Sequence, residues 1–109
     1  MKQLFWTGSS YKLLTTFPDI VKQAAGYQLH LIQQGLDPDD WKPMRSIGAG
    51  VREIRVHADG EHRIIYIAKF EEGVYVLHAF QKKRQKTTKK DLDIARIRLR
   101  EVIQQRNRS

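Results

Sequence analysis

The spacing of apolar residues divides the chain into a helical first third, a strand-rich centre and a helical end. Lys2 to Trp6 reads as a short first strand, and Ser9 or Ser10 can cap a short helix over Tyr11 to Thr16. Pro18 suits the first turn of a second helix, where its missing N–H would have no partner anyway. Along that helix Ile20, Val21, Ala24, Ala25, Gln28, Leu31 and Ile32 trace a mostly apolar stripe that ends at Gly35. Gly26 inside it costs about 1 kcal/mol of helix propensity, which close packing by another element would explain. Residues 36–50, with Asp37, Pro38, Pro43, Gly48 and Gly50, read as an irregular loop carrying Trp41.

The texture then changes. Val51–Ala58, His62–Phe70 and Val74–Gln81 are rich in Val, Ile and Tyr, and are separated by turn residues. Asp59-Gly60 is a strong two-residue hairpin signal, because a type I′ turn needs positive φ at both positions. Glu72-Gly73 repeats it more weakly. Two-residue turns at both places fix a register in which Arg63 lies opposite Val56 on one side and Lys82 on the other. One face then carries Arg52, Ile54, Val56, Arg63, Ile65, Ile67, Val76, His78, Phe80 and Lys82. The opposite face carries Glu53, Arg55, His57, His62, Ile64, Tyr66, Tyr75, Leu77 and Ala79. Directly opposed like charges destabilise a sheet, so Arg63 facing Lys82 is easiest to explain with an anion between them. A slip of one residue would remove that pair.

After the strands, Thr88-x-x-Asp91 resembles a capping box, with Asp in place of Glu, opening a helix to about Gln105. Its apolar stripe is Leu92, Ala95, Leu99, Val102 and Ile103. No internal repeat or low-complexity linker interrupts the 109 residues, so one α+β domain over residues 1–109 is expected.

Composition narrows the chemistry. Apolar residues make up 40% of the chain, enough for one core, and the absence of cysteine removes disulfides, thiolate chemistry and Cys-ligated zinc. The segment MKQLFWTGSS holds no apolar run long enough for a signal peptide or membrane helix, so a cytoplasmic protein off the membrane is expected. The net charge of +8 matters most for where it lies. Residues 81–109 hold eleven Lys and Arg against three acidic residues, while the nine of each sign before them cancel. Such asymmetry points to a polyanion held through phosphate contacts; a helix kept soluble by its charges is the plainer alternative.

Within that third, Gln81-Lys82-Lys83-Arg84-Gln85-Lys86-Thr87-Thr88 runs from a strand end into a helix N-terminus, where backbone N–H groups and the helix dipole already favour anions. A phosphate clamp is the functional interpretation, and a charged connector the plain one. His30 reads as structural or exposed, and His57 and His62 as surface residues flanking the hairpin. His78 reads as a hydrogen-bonded core histidine for which proton transfer stays open. Tyr66 packs by default, with base stacking or a hydroxyl role as the alternative. No His, Asp and Glu spacing reads as a metal site, no Gly-rich loop suits a nucleotide, and no cofactor is expected.

Together these residues resemble a known family. The strands VREIRVHADGEHRIIYIAKF and VYVLHAF, followed by QKKRQKTTKKDLDIARIR, are similar to the phage-derived HigB-like branch of the RelE/ParE toxin superfamily. The similarity extends upstream through GYQLHLIQQGLDPDDWKPM, and its most specific piece is HAFQKKRQKTTKKDLDIARIR. It implies a RelE-like fold, with two N-terminal helices packed on a small antiparallel sheet and a basic C-terminal helix. It also implies the toxin half of a type II toxin–antitoxin pair, with a helix-turn-helix antitoxin as partner, mRNA and the ribosome as targets, and operator DNA reached only through the antitoxin. Toxins of this kind cleave mRNA without a metal: the 2′-OH attacks the adjacent phosphate and expels the 5′-oxygen, which needs a proton acceptor, cations and a proton donor. By motif position Arg63 matches the family's sheet arginine. Arg55, Lys82, Arg84 and Lys86 become phosphate contacts, and Lys83, His78 and Tyr66 candidates for proton transfer. Thr88 replaces a family proline, Arg84 a threonine, and no tyrosine or histidine follows the basic run. The competing functions are a ParE-like gyrase inhibitor that cleaves nothing and a nucleic-acid-binding module without catalysis; fold alone does not separate them.

Overall fold

A computed structural model describes residues 1–108. The elements run β1 (Gln3–Trp6), α1 (Ser10–Thr15), α2 (Asp19–Gln33), β2 (Trp41–Pro43), β3 (Val51–His57), β4 (Glu61–Ile67), β5 (Gly73–Gln81) and α3 (Lys89–Asn107). The five strands form one sheet in the order β1-β5-β4-β3-β2. The α+β class agrees with the sequence, but the arrangement differs from a RelE-like order of two leading helices on an antiparallel sheet. Here a strand precedes both helices, and β1 lies parallel to β5, with Gln3 opposite Gly73 and Trp6 opposite Val76. The sheet is therefore mixed. Its other edge, β2, falls where a loop was expected; three residues ending in proline show no alternation, and proline is tolerated at a sheet edge.

The sheet separates two cores. On one face, Val21, Ala25, Leu29 and Ile32 of α2 pack with Leu14 of α1 on Ile54, Ile64 and Tyr66. On the other, Ala95, Leu99 and Val102 of α3 cover Val51, Ile65, Ile67 and Leu77. The buried stripe of α2 thus runs through Leu29 rather than Leu31, and Ile20 is 61% exposed. Gly26 meets nothing within 4 Å of where its Cβ would stand, so close packing is not its reason. In α3, Ile103 likewise faces outward.

The hairpin register differs by one residue from the sequence expectation. His57 pairs with Glu61, leaving a three-residue connection, Ala58-Asp59-Gly60. Asp59 and Gly60 do take positive φ, 47° and 98°, but the extra residue moves Arg63 from Val56 to Arg55. The second connection spans residues 68–72, with Ile67 opposite Tyr75. A bulge then shifts the pairing from Tyr66–Val76 to Ile65–His78, so Leu77 and His78 both turn toward α3. Leu77 enters the core there, and His78 reaches Asp91 on the helix. Arg63 consequently opposes Phe80, not Lys82. The cap of α3 forms as expected, the Thr88 hydroxyl accepting the Asp91 N–H.

Two glycine substitutions test this packing by urea unfolding. A Cβ on Gly73 would lie 2.7 Å from the Gln3 carbonyl oxygen and 2.5 Å from the Phe5 ring, so Gly73→Ala should destabilise by about 1–3 kcal/mol. Gly26→Ala should stabilise by up to about 1 kcal/mol. Shifts of the same sign would contradict the placement of β1 or of α2.

Candidate functional site

Alternation on β3 places Val51, Glu53 and Arg55 on the face that α3 covers, and the pairs Glu53–Ile65 and Arg55–Arg63 extend it across β4. β5 adds Phe80 opposite Arg63 and His78 opposite Ile65. An apolar surface under a helix thereby acquires a carboxylate and two guanidinium groups. Glu53 is fully buried and Arg63 only 5% exposed. Burying such groups costs several kcal/mol each unless they are paired.

The pairing is incomplete. Arg63 donates to the His62 carbonyl and to Glu61 Oε1, both at 3.0 Å, while its Nε stands 3.7 Å from Glu53 Oε1, too long for a hydrogen bond. Glu53 Oε2 accepts the Thr87 hydroxyl at 2.9 Å. Glu53 Oε1, Arg63 Nε and Arg55 Nε are buried without a hydrogen-bond partner. Two adjacent guanidinium N–H groups left unpaired in a dry place are what an anion would satisfy. The opposed like charges anticipated for Arg63 and Lys82 occur instead as Arg63 and Arg55.

Lys82 joins this group from the end of β5. Its backbone N–H donates to the Glu61 carbonyl at 2.7 Å, and the residue is half-buried. Burial pushes the Lys82 pKa below the ordinary lysine value, with Arg63, Lys42 and Arg55 adding to the shift and Glu53 opposing it. Lys83, Arg84 and Lys86 are exposed, and none of them enters an ion pair among the described residues. Arg63 and the 82–86 segment therefore share one electrostatic neighbourhood, through Lys82.

His78 is buried, its Nε2 2.8 Å from Asp91 Oδ1, and it stacks on Phe80 with ring centroids 5.2 Å apart. Asp91 Oδ2 also accepts the Thr88 hydroxyl. His78, Phe80, Lys90 and Asp91 border a groove of about 620 Å³ that reaches Leu13 and Phe17 of the α1 region. Tyr66 does not join them. It faces α2, 1% exposed, above a separate cavity of about 270 Å³ with Asp37 and Arg52. Burial raises its phenol pKa, and Arg52 only partly offsets this. His62 is 2% exposed against Phe17, not a surface residue. His57 is exposed as expected, bridging Asp40 and Glu61. Among the described residues no group of three or more His, Asp or Glu could hold a metal ion, and no helix is long and apolar enough to cross a membrane.

The model of phage-derived Gp49-like proteins (DUF891) matches residues 12–100, from α1 through the sheet and basic segment into α3. The chain belongs to that family. No curated protein matches it. The Gp49-like match contains every site residue named above, and it contains Glu53, Thr87, Asp91 and Lys42, which the sequence alone did not mark as site residues. The one signal for Glu53 was an acid between Arg52 and Ile54 whose neighbours in the alternation, Val51 and Arg55, lie on a face that the final helix had to cover.

The His57 bridge gives a pH test. Hydrogen bonds donated to Asp40 and then Glu61 raise the His57 pKa, so its stabilisation is fully present below the ordinary histidine value, about 6.5, and is lost as pH rises through the folded value. Hydrogen bonds from His57 and then Arg63 lower the Glu61 pKa, so that contribution is present above about 4.3 and lost as pH falls through the lowered value. The stability difference between the protein and His57→Ala should peak between those two ordinary values and shrink toward pH 8. A difference independent of pH would contradict the bridge.

Proposed function

We propose that this chain is a RelE/HigB-like toxin of a type II toxin–antitoxin pair, an endoribonuclease that cuts mRNA on the ribosome and is held in check by a helix-turn-helix antitoxin. The observation that carries this reading is the unpaired, buried Nε pair of Arg55 and Arg63 beside a lysine whose pKa is lowered by burial and then by neighbouring cations. Membership in a phage-derived family supports it, as does a basic segment whose exposed cations lack acidic partners. Operator DNA is reached through the antitoxin, and the toxin works in the cytoplasm.

In the proposed reaction the O2′–P bond forms while the P–O5′ bond breaks. Arg55 and Arg63 hold the nonbridging oxygens, where charge grows in the phosphorane. Lys82 is the residue most suited to take the 2′-OH proton, because burial and neighbouring cations favour its neutral form. His78, oriented by Asp91, or Lys83 from the exposed side, returns a proton to the 5′-oxygen. Lys83, Arg84 and Lys86 neutralise flanking phosphates. Tyr66 has no part in this chemistry. Its orientation, and the burial of His78, favour a second reading, in which the module binds RNA without cutting it.

Mapping mRNA 5′ ends after induced expression separates the possibilities. Cuts in frame at translated codons are expected; growth arrest with supercoiling defects and intact mRNA would contradict the nuclease and favour gyrase inhibition. RNA binding without cuts would leave the non-catalytic module. On a single-stranded oligoribonucleotide, Lys83→Ala and Arg84→Ala should each reduce the salt slope of log affinity by about 0.7. Arg63→Ala is a poor probe, because it leaves Glu53 buried without its cation, a loss of about 3–5 kcal/mol. Arg63→Lys keeps the charge but loses the fixed donor pair, and should abolish cutting in a folded protein.

A further inference from the structure

Between β5 and α3, residues 82–88 form a strap that starts beside Glu61 of β4 and touches Glu53 of β3 at Thr87. Its first residue is tied by the Lys82 N–H to Glu61. Among the described residues, 83–87 make no backbone–backbone hydrogen bond, and all but Thr87 in that stretch are exposed. One side-chain bond therefore decides where the strap lies: the Thr87 hydroxyl donating to Glu53 Oε2 at 2.9 Å. Glu53 is 0% exposed, so water cannot easily replace Thr87, and an unpaired buried carboxylate oxygen is costly.

We propose that Thr87 is a positioning residue, latched by buried Glu53, that sets the basic strap over the Arg55–Arg63 pair so that strap and sheet cations act on one ribonucleotide backbone. The latch stands on the geometry of Thr87 and Glu53; its effect on RNA rests on the functional reading above. Glu53 has two partners, Thr87 on Oε2 and the more distant Arg63 near Oε1. An anion that draws Arg63 toward itself leaves the carboxylate more dependent on Thr87. Phosphate binding and strap closure therefore reinforce each other, a coupling in which each event raises the affinity for the other.

Thr87→Val removes the hydroxyl at nearly constant shape and leaves every charge in place, whereas Thr87→Ser restores the donor. Backbone order parameters of residues 83–87 should fall below about 0.6 in the valine variant and return with serine, while β3 to β5 stay unchanged. Affinity for a single-stranded oligoribonucleotide should fall about tenfold with an unaltered salt slope, and serine should recover it. A valine variant with the strap order of the unsubstituted protein, or a serine variant as mobile as valine, overturns the latch. Unchanged affinity in a mobile valine strap overturns the coupling to RNA. Absence of RNA affinity in the unsubstituted protein removes the functional reading instead, and the order parameters still decide the latch.

Discussion

A carboxylate buried in the middle of a cationic face is the constraint on which this structure turns. Glu53 has no exposed surface, and a group of that kind persists only where fixed partners replace water. Its partners come from two places distant in sequence: Arg63 on the neighbouring strand and Thr87 on the strap before the last helix. The same contact therefore orients the sheet arginine and anchors the most basic stretch of the chain. A second pin, Asp91 to His78, fixes the start of α3 on the same face. Between the two pins the strap cannot drift from the arginines without exposing or orphaning a charge.

The two-sided sheet explains how so polar a group can sit beside a core. α1 and α2 bury one face with aliphatic side chains. α3 buries only part of the other, because its apolar residues contact the Val51, Ile67 and Leu77 end. Toward the Arg55–Arg63 pair the face is charged, and there the strap is tied by Thr87 to Glu53. The bulge in β5 serves both regions, giving Leu77 to the core and His78 to the helix anchor. Stability and site chemistry thus share one sheet face, with the boundary between them near Ile65.

Much of this was legible in the sequence, and the parts that were not have identifiable physical reasons. The helices, the three long strands and the Thr88 cap follow from apolar spacing and from turn and cap residues. The register did not, because Asp59-Gly60 takes the positive φ of a two-residue turn within a connection of three. One extra residue moved Arg55 beside Arg63, and the longer second connection with its bulge replaced Lys82 by Phe80 opposite Arg63. β1 was legible as a strand, but its parallel pairing with β5 depends on contacts seventy residues apart in the chain. Glu53 was placed on a sheet face without being marked as buried, because a local pattern does not show which face a later helix will cover. Tyr66 shared the strand of Arg63, and alternation alone put it on the other face. Lys83 drew notice as one of a run, whereas burial singles out Lys82.

The central claim, that Arg55, Arg63 and Lys82 converge on one phosphate of RNA beneath a strap held by Glu53, is tested most directly by a crystal structure of the complex with a short oligoribonucleotide carrying a single 2′-deoxy substitution to block cleavage. A phosphate is expected within hydrogen-bond distance of the Nε atoms of Arg55 and Arg63 and of the Lys82 ammonium, with Thr87 still on Glu53. Phosphates lying only along the exposed side of α3, with the two Nε groups as unpaired as before, would contradict it.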